Sequence, residues 1–173
     1  MDQVHVEAPV GTTVGTPLER AFASDFAILL NYVARLTDRI DEAGGITCET
    51  FREIAERRGA APAGLRAELL RVATQRCRDL VRPRRWFGRR SAGTLLLEGF
   101  PDADARKALR RDTVQRALAA LAFEERATVL LRDFVHLSYP EMSYVLGVPE
   151  RKLVHALDRG RAELSEIYDY IKF

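Results

Sequence analysis

With 173 residues, 47% apolar and 30% charged, the chain has the balance of a folded globular protein and not of a disordered or fibrous one. No apolar run approaches the roughly 20 residues of a membrane span, and residues 1–15 lack a basic segment followed by an apolar one, so a cytoplasmic protein without membrane insertion is expected. The net charge of +2 excludes little, because the charge is unevenly spread.

Residues 1–15 are rich in Gly, Thr and Val without periodicity and read as a flexible tail. Thr16-Pro17-Leu18-Glu19 then has the form of a capping box with Pro in the first helical position. The apolar stripe Leu18, Phe22, Phe26, Leu29, Val33, Leu36 and Ile40 follows in steps of three and four. It predicts one long amphipathic helix, broken at Gly44-Gly45. A second helix is predicted over 47–58, burying Phe51, Ile54 and Ala55 and stopping at Gly59. A third starts near Pro62, turns Leu65, Leu69, Ala73, Cys77 and Leu80 inward, and ends at Pro83.

Residues 84–103 hold three Gly and one Pro without sustained period and read as a linker between two small domains, 16–83 and 104–173. Helical periodicity then resumes, with Val114, Ala117, Leu118 and Leu121 inward in one helix and Ala127, Leu130, Leu131 and Phe134 in the next. Ser138-Tyr139-Pro140-Glu141 is a second capping box, opening a short helix through Leu146. Gly147-Val148-Pro149 forms a tight turn. The helix after it turns Leu153, Leu157, Leu164 and Ile171 inward. No strand-like alternation appears. The fold class is therefore all-α: two helical domains, the second a helix-turn-helix.

Chemistry is sparse in this pattern. Cys48 and Cys77 read as small buried side chains, and His5, His136 and His155 have no ligand spacing, so no metal and no cofactor are expected. There is no Gly-rich phosphate loop or recognisable nucleophile setting, and an enzyme is not expected. Between positions 52 and 90, twelve Arg face four acidic residues, a field suited to phosphates. Within it, Trp86 and Phe87 offer rings on which unstacked bases could lie, or else a plug against the linker. In a helix-turn-helix the start of the second helix enters the major groove, which here presents Arg151, Lys152, His155 and Arg159.

The runs Ala119-Ala120-Leu121, Glu125-Arg126-Ala127, Leu130-Leu131-Arg132-Asp133, Leu137-Ser138-Tyr139, Leu146-Gly147-Val148-Pro149 and Arg159-Gly160-Arg161-Ala162 resemble region 4 of extracytoplasmic-function sigma factors. Upstream, Glu49-Thr50-Phe51 and Leu69-Leu70-Arg71-Val72-Ala73, with Asp79 and Arg82, are similar to their region 2. The chain departs from the family pattern at Gly44-Gly45, where acidic residues are usual, and at Glu68, Gln75, Val154 and Ala156, where Trp, Asn and a basic pair are usual.

The resemblance implies a sigma factor that binds core RNA polymerase and directs initiation at a promoter. It places Glu49, Arg52, Glu53 and Glu56 against polymerase, although the same residues could serve only as intrahelical ion pairs. Arg71, Gln75, Arg78, Arg82, Arg84 and Arg85 fall on the −10 region, and Arg151, Lys152, His155 and Arg159 on the −35 element. An anti-sigma factor is an expected further partner. The departures keep a second reading open: a sigma-like regulatory protein that binds an anti-sigma factor or polymerase without reading a promoter.

Overall fold

The computed structural model describes residues 16–57, 64–81 and 113–172. Helices account for almost all of these: α1 (Pro17–Thr37), α2 (Ile40–Glu56), α3 (Leu65–Val81), α4 (113–120), α5 (Phe123–Val129), α6 (Tyr139–Leu146) and α7 (Glu150–Lys172). The expected tail and linker lie outside the described residues.

Helix α1 starts where its capping box sets it: Glu19 accepts from the Thr16 N–H at 2.7 Å, and Thr16 Oγ1 accepts from the Glu19 N–H at 3.2 Å. It ends seven residues earlier than the Gly pair predicts. Asp38 adopts a left-handed conformation at φ 58° and donates its N–H to the Ala34 carbonyl at 3.0 Å, a cap that Asp tolerates better than most residues. Ile40, expected inward on α1, opens α2 instead and is 81% exposed.

Helix α2 then runs straight through Gly44 and Gly45. Its inward face, Ala43, Thr47, Thr50 and Phe51, packs firmly enough to hold two poor helix formers in line. In that phase Ala55 points to solvent, against expectation, as does Cys48, which was read as buried. Cys77 is buried, and burial pushes its thiol up to about 12. Phe22, half-exposed, leans edge-on against Phe51 beside Phe26. The buried pair Tyr32 and Thr74, hydroxyl to hydroxyl at 2.8 Å, ties α1 to α3.

In the C-terminal half, α5 continues into one π-helical turn, Leu130–Phe134, in which Val135 donates its N–H to the carbonyl of Leu130 at 3.0 Å, five residues back. That wider turn slips the register by one residue. Val135 takes the inward place predicted for Phe134, which is left 37% exposed. Glu141 caps α6 by accepting from the Ser138 N–H at 2.7 Å and its hydroxyl at 2.6 Å. Gly147, at φ 67°, closes α6 in the left-handed conformation that turns the chain toward α7. Leu153 and Leu157 are buried as expected, Leu164 is half-buried, and the Ile171 side chain lies outside the described residues. Where α7 crosses α5, a Cβ on Gly160 would stand 2.9 Å from Val129 Cγ2, so only glycine allows the two helices this close.

One apolar core runs through both halves, from Leu29, Val33 and Leu69 to Leu131, Val135 and Met142. The α1–α3 bundle therefore packs against the helix-turn-helix, with α3 against α6 and α1 against the π-helical turn.

Candidate nucleic-acid interface

The second helix of the helix-turn-helix is anchored by its apolar side and free on the other. Leu153 and Leu157 are buried, Leu153 in the same core cluster as Val145 and Leu146, whereas Arg151, Lys152, Val154, His155 and Arg159 are exposed. Arg159 reaches Glu125 at 3.2 Å while its side chain remains 72% exposed, so the guanidinium is open to a second partner. All four residues expected at a DNA duplex thus stand together along one face at the start of α7.

Helix α3 carries the second predicted stripe, and much of it is engaged. Arg71 donates to Glu68 at 2.9 and 2.6 Å, and its guanidinium lies 5.8 Å from the Tyr144 ring centre. Arg78 donates to both carboxylate oxygens of Glu124 at 3.1 and 3.2 Å, and to Gln75 Oε1 at 3.2 Å. Gln75 in turn donates to Asp79. Arg82, Arg84 and Arg85, with Trp86 and Phe87, lie outside the described residues. A groove of about 380 Å³ separates the stripe from α7. Arg78, Lys152 and Arg159 supply its cations, and Leu146, Val148, Leu153 and Ala156 its apolar wall.

The expected polymerase-facing residues line α2. Arg52 and Glu56 are exposed. Glu49 and Glu53 each accept from Arg76 of α3 at 2.7 Å, so these carboxylates bridge two helices and are not merely intrahelical partners. Arg57 also binds Glu53, and the two guanidinium groups hold that carboxyl below its ordinary value, the Arg76 hydrogen bond acting most.

Four residues with structural consequence were not singled out for it in the sequence: Glu68, Glu124, Arg126 and Tyr144. Glu68 is only 7% exposed and accepts from Arg57 at 2.5 Å, from both donors of Arg71, and from the Tyr144 hydroxyl. The Arg71 hydrogen bonds, then that of Tyr144, pull its pKa down to about 2 against the opposing effect of burial. The sequence signal was a charge directly beside the inward Leu69. Arg126 is buried and donates to three backbone carbonyls, those of Leu36 (2.9 Å), Ala119 (2.6 Å) and Leu121 (3.1 Å). Its signal was likewise a cation beside the core residue Ala127. Among the described residues no group of His, Cys, Asp and Glu is placed to hold a metal, and no helix is long and apolar enough to cross a membrane.

Residues 111–164, which include α6, the Gly147 turn and α7 as far as Leu164, match the family model for sigma-70, region 4. The chain is 31% identical over 115 residues to the RNA polymerase sigma factor CnrH of Cupriavidus metallidurans, an alignment covering 60% of each protein. Its fold is similar to that of the sigma factor RpoE solved with the anti-sigma factor NepR from Bartonella quintana, with a TM-score of 0.65 at 16% identity over 87% of this chain and 96% of that one. It is similar also to CnrH solved with the cytosolic domain of CnrY, with a TM-score of 0.64 at 24% identity over 88% of each. The helix-turn-helix and its cationic face thus fall within the sigma-70 region 4 match, and the chain as a whole is similar in fold to these sigma factors.

Proposed function

We propose that the protein is a sigma factor that joins core RNA polymerase and directs it to a promoter. The observation that carries this reading is that the region 4 match falls on a helix-turn-helix whose second helix opens with exposed Arg151 and Lys152. In this reading Arg151, Lys152, His155 and Arg159 approach the −35 duplex. Arg71, Gln75 and Arg78, with Arg82, Arg84 and Arg85, meet the −10 region, and the α2 face with Glu49, Arg52, Glu53 and Glu56 docks on polymerase. The protein does no chemistry itself, because strand synthesis belongs to the polymerase, and it works in the cytoplasm where that enzyme is. An anti-sigma factor is a further proposed partner, by likeness to the relative solved with NepR.

Val154 and Ala156 bring no cation to the α7 face, so contacts to phosphate and base edges rest on few side chains. Specificity then depends on polymerase holding both halves on one promoter. The test is run-off transcription with core polymerase on genomic fragments. The double change Arg151→Ala with Lys152→Ala should abolish promoter-specific transcripts and the footprint at −35 while polymerase binding persists. Full activity of the double variant, with no footprint from either protein, would overturn the reading.

A further inference from the structure

The exposed surface at the start of α7 divides into two stripes of opposite chemistry. Residues three or four apart stand above one another on a helix, so Lys152, Ala156 and Arg159 form one edge, which lines the groove shared with Arg78 of α3. Glu150, Val154 and Asp158, all exposed, form the other edge, and Arg151 and His155 lie between the two. The first stripe is cationic. The second carries no hydrogen-bond donor: two carboxylates with a branched apolar side chain between them. Phosphate is a poor partner for this second stripe, because both carboxylates repel it. Helix stability does not account for it either. Glu150 alone has a local reason, since a carboxylate in the first turn is favoured by the helix dipole. Val154 is 40% exposed, although valine is a poor helix former. Arg161, one turn beyond Asp158, gives its guanidinium to Asp133, donating from Nε at 3.0 Å. The Asp158 carboxylate is left without a hydrogen bond or ion pair among the described residues.

We propose that Val154 and Asp158 read base edges in the major groove, Val154 selecting a thymine and Asp158 a cytosine in the duplex that α7 enters. This rests on the reading of α7 as the −35 helix. The thymine C5-methyl is the apolar group that the major groove presents, and it suits the methyl groups of a valine whose rotamer its helix fixes. The cytosine N4 amino group is a donor and matches a carboxylate that has no partner in the protein. A guanine in the cytosine's place would set acceptor against acceptor, so the stripe rejects as well as selects. Phosphate contact is left to the cations on the rest of the exposed surface.

The test loads the full chain on core polymerase and offers it a promoter pool randomised over the −35 duplex, from which active templates are selected by run-off transcription. The selected site should hold a thymine and a cytosine. Each thymine is then replaced by deoxyuridine, which lacks only the methyl group. Transcription should fall about fourfold at one position, the worth of one buried methyl group, and stay unchanged at the others. This scan uses the unaltered protein. Val154→Ala should transcribe the thymine and uracil templates equally. Asp158→Asn should move the selected cytosine toward adenine, whose N6 and N7 pair with a carboxamide. Both positions are exposed, so neither variant removes a core contact. Equal transcription with thymine and uracil at every position, or a methyl dependence that survives Val154→Ala, would overturn the Val154 assignment. A cytosine preference that survives Asp158→Asn would overturn the Asp158 assignment. Promoter-specific transcription with neither dependence would overturn this proposal alone and leave the sigma factor reading standing, whereas the absence of any promoter-specific transcript would overturn both.

Discussion

Replacing Arg126 with Met tests whether one buried cation joins the two halves. Methionine keeps most of the apolar stem and removes the guanidinium, leaving the carbonyls of Leu36, Ala119 and Leu121 without that donor. Hydrogen bonds to a charged group contribute roughly 1.5–3 kcal/mol each, so three would suggest about 4–9 kcal/mol. Against this stands the cost of burying the charge, several kcal/mol per ion. That cost is visible in the direction of the Arg126 pKa, which burial lowers despite the nearby Asp38 carboxylate. The Arg126 Nε, buried without a partner, adds to the same side. The difference leaves a net destabilisation of about 2–4 kcal/mol, a large share of the 5–15 kcal/mol typical of a folded protein. Urea unfolding followed by circular dichroism should show the midpoint falling accordingly. Arg126→Lys should recover only part of the loss, because one ammonium cannot span carbonyls on both sides of the guanidinium. A loss below about 1 kcal/mol for the Met variant would refute the reasoning and mean that the carbonyls find other donors at no cost.

Two further outcomes follow from single residues. Gly45→Ala should raise stability by about 0.5–1 kcal/mol, seen as a higher Tm, because Gly45 lies inside α2 with nothing within 4 Å of the added Cβ; a lower Tm would show that α2 needs the glycine. Glu68 is depressed to about 2, so its stabilisation is complete above the ordinary glutamate value near 4.3 and is lost as pH falls from there toward 2. Glu68→Gln should therefore cost at most about 3 kcal/mol at neutral pH and flatten that part of the acid unfolding curve, and an unchanged acid limb would refute the assignment.

What the sequence disclosed, it disclosed through local rules. Both capping boxes, the Gly147 turn and the inward Leu153 and Leu157 depend on neighbours within a few positions, and all stand where periodicity and cap chemistry put them. The errors are local rules overruled by packing. Gly44-Gly45 looked like a stop because two glycines cost a helix about 2 kcal/mol against alanine. The buried face from Ala43 to Phe51 outweighs that, and the real break falls at Asp38, whose carboxylate is held by Gln115 from the other half of the chain.

The exposed side of α7 was legible for a related reason: it is whatever the buried Leu153–Leu157 stripe leaves outside, so the positions of Arg151, Lys152, His155 and Arg159 follow from helix phase alone. The fate of Arg76 and Arg78 was not legible, because their carboxylate partners lie far along the chain, 27 and 23 residues from Arg76 to Glu49 and Glu53 and 46 from Arg78 to Glu124. Composition registers an excess of Arg over this stretch and reads it as free positive field. Folding spends part of that field internally, on Glu49, Glu53, Glu68 and Glu124. The same side chains that suit a phosphate backbone thus also suit carboxylates, within their own half for Arg71 and Arg76 and on α5 for Arg78.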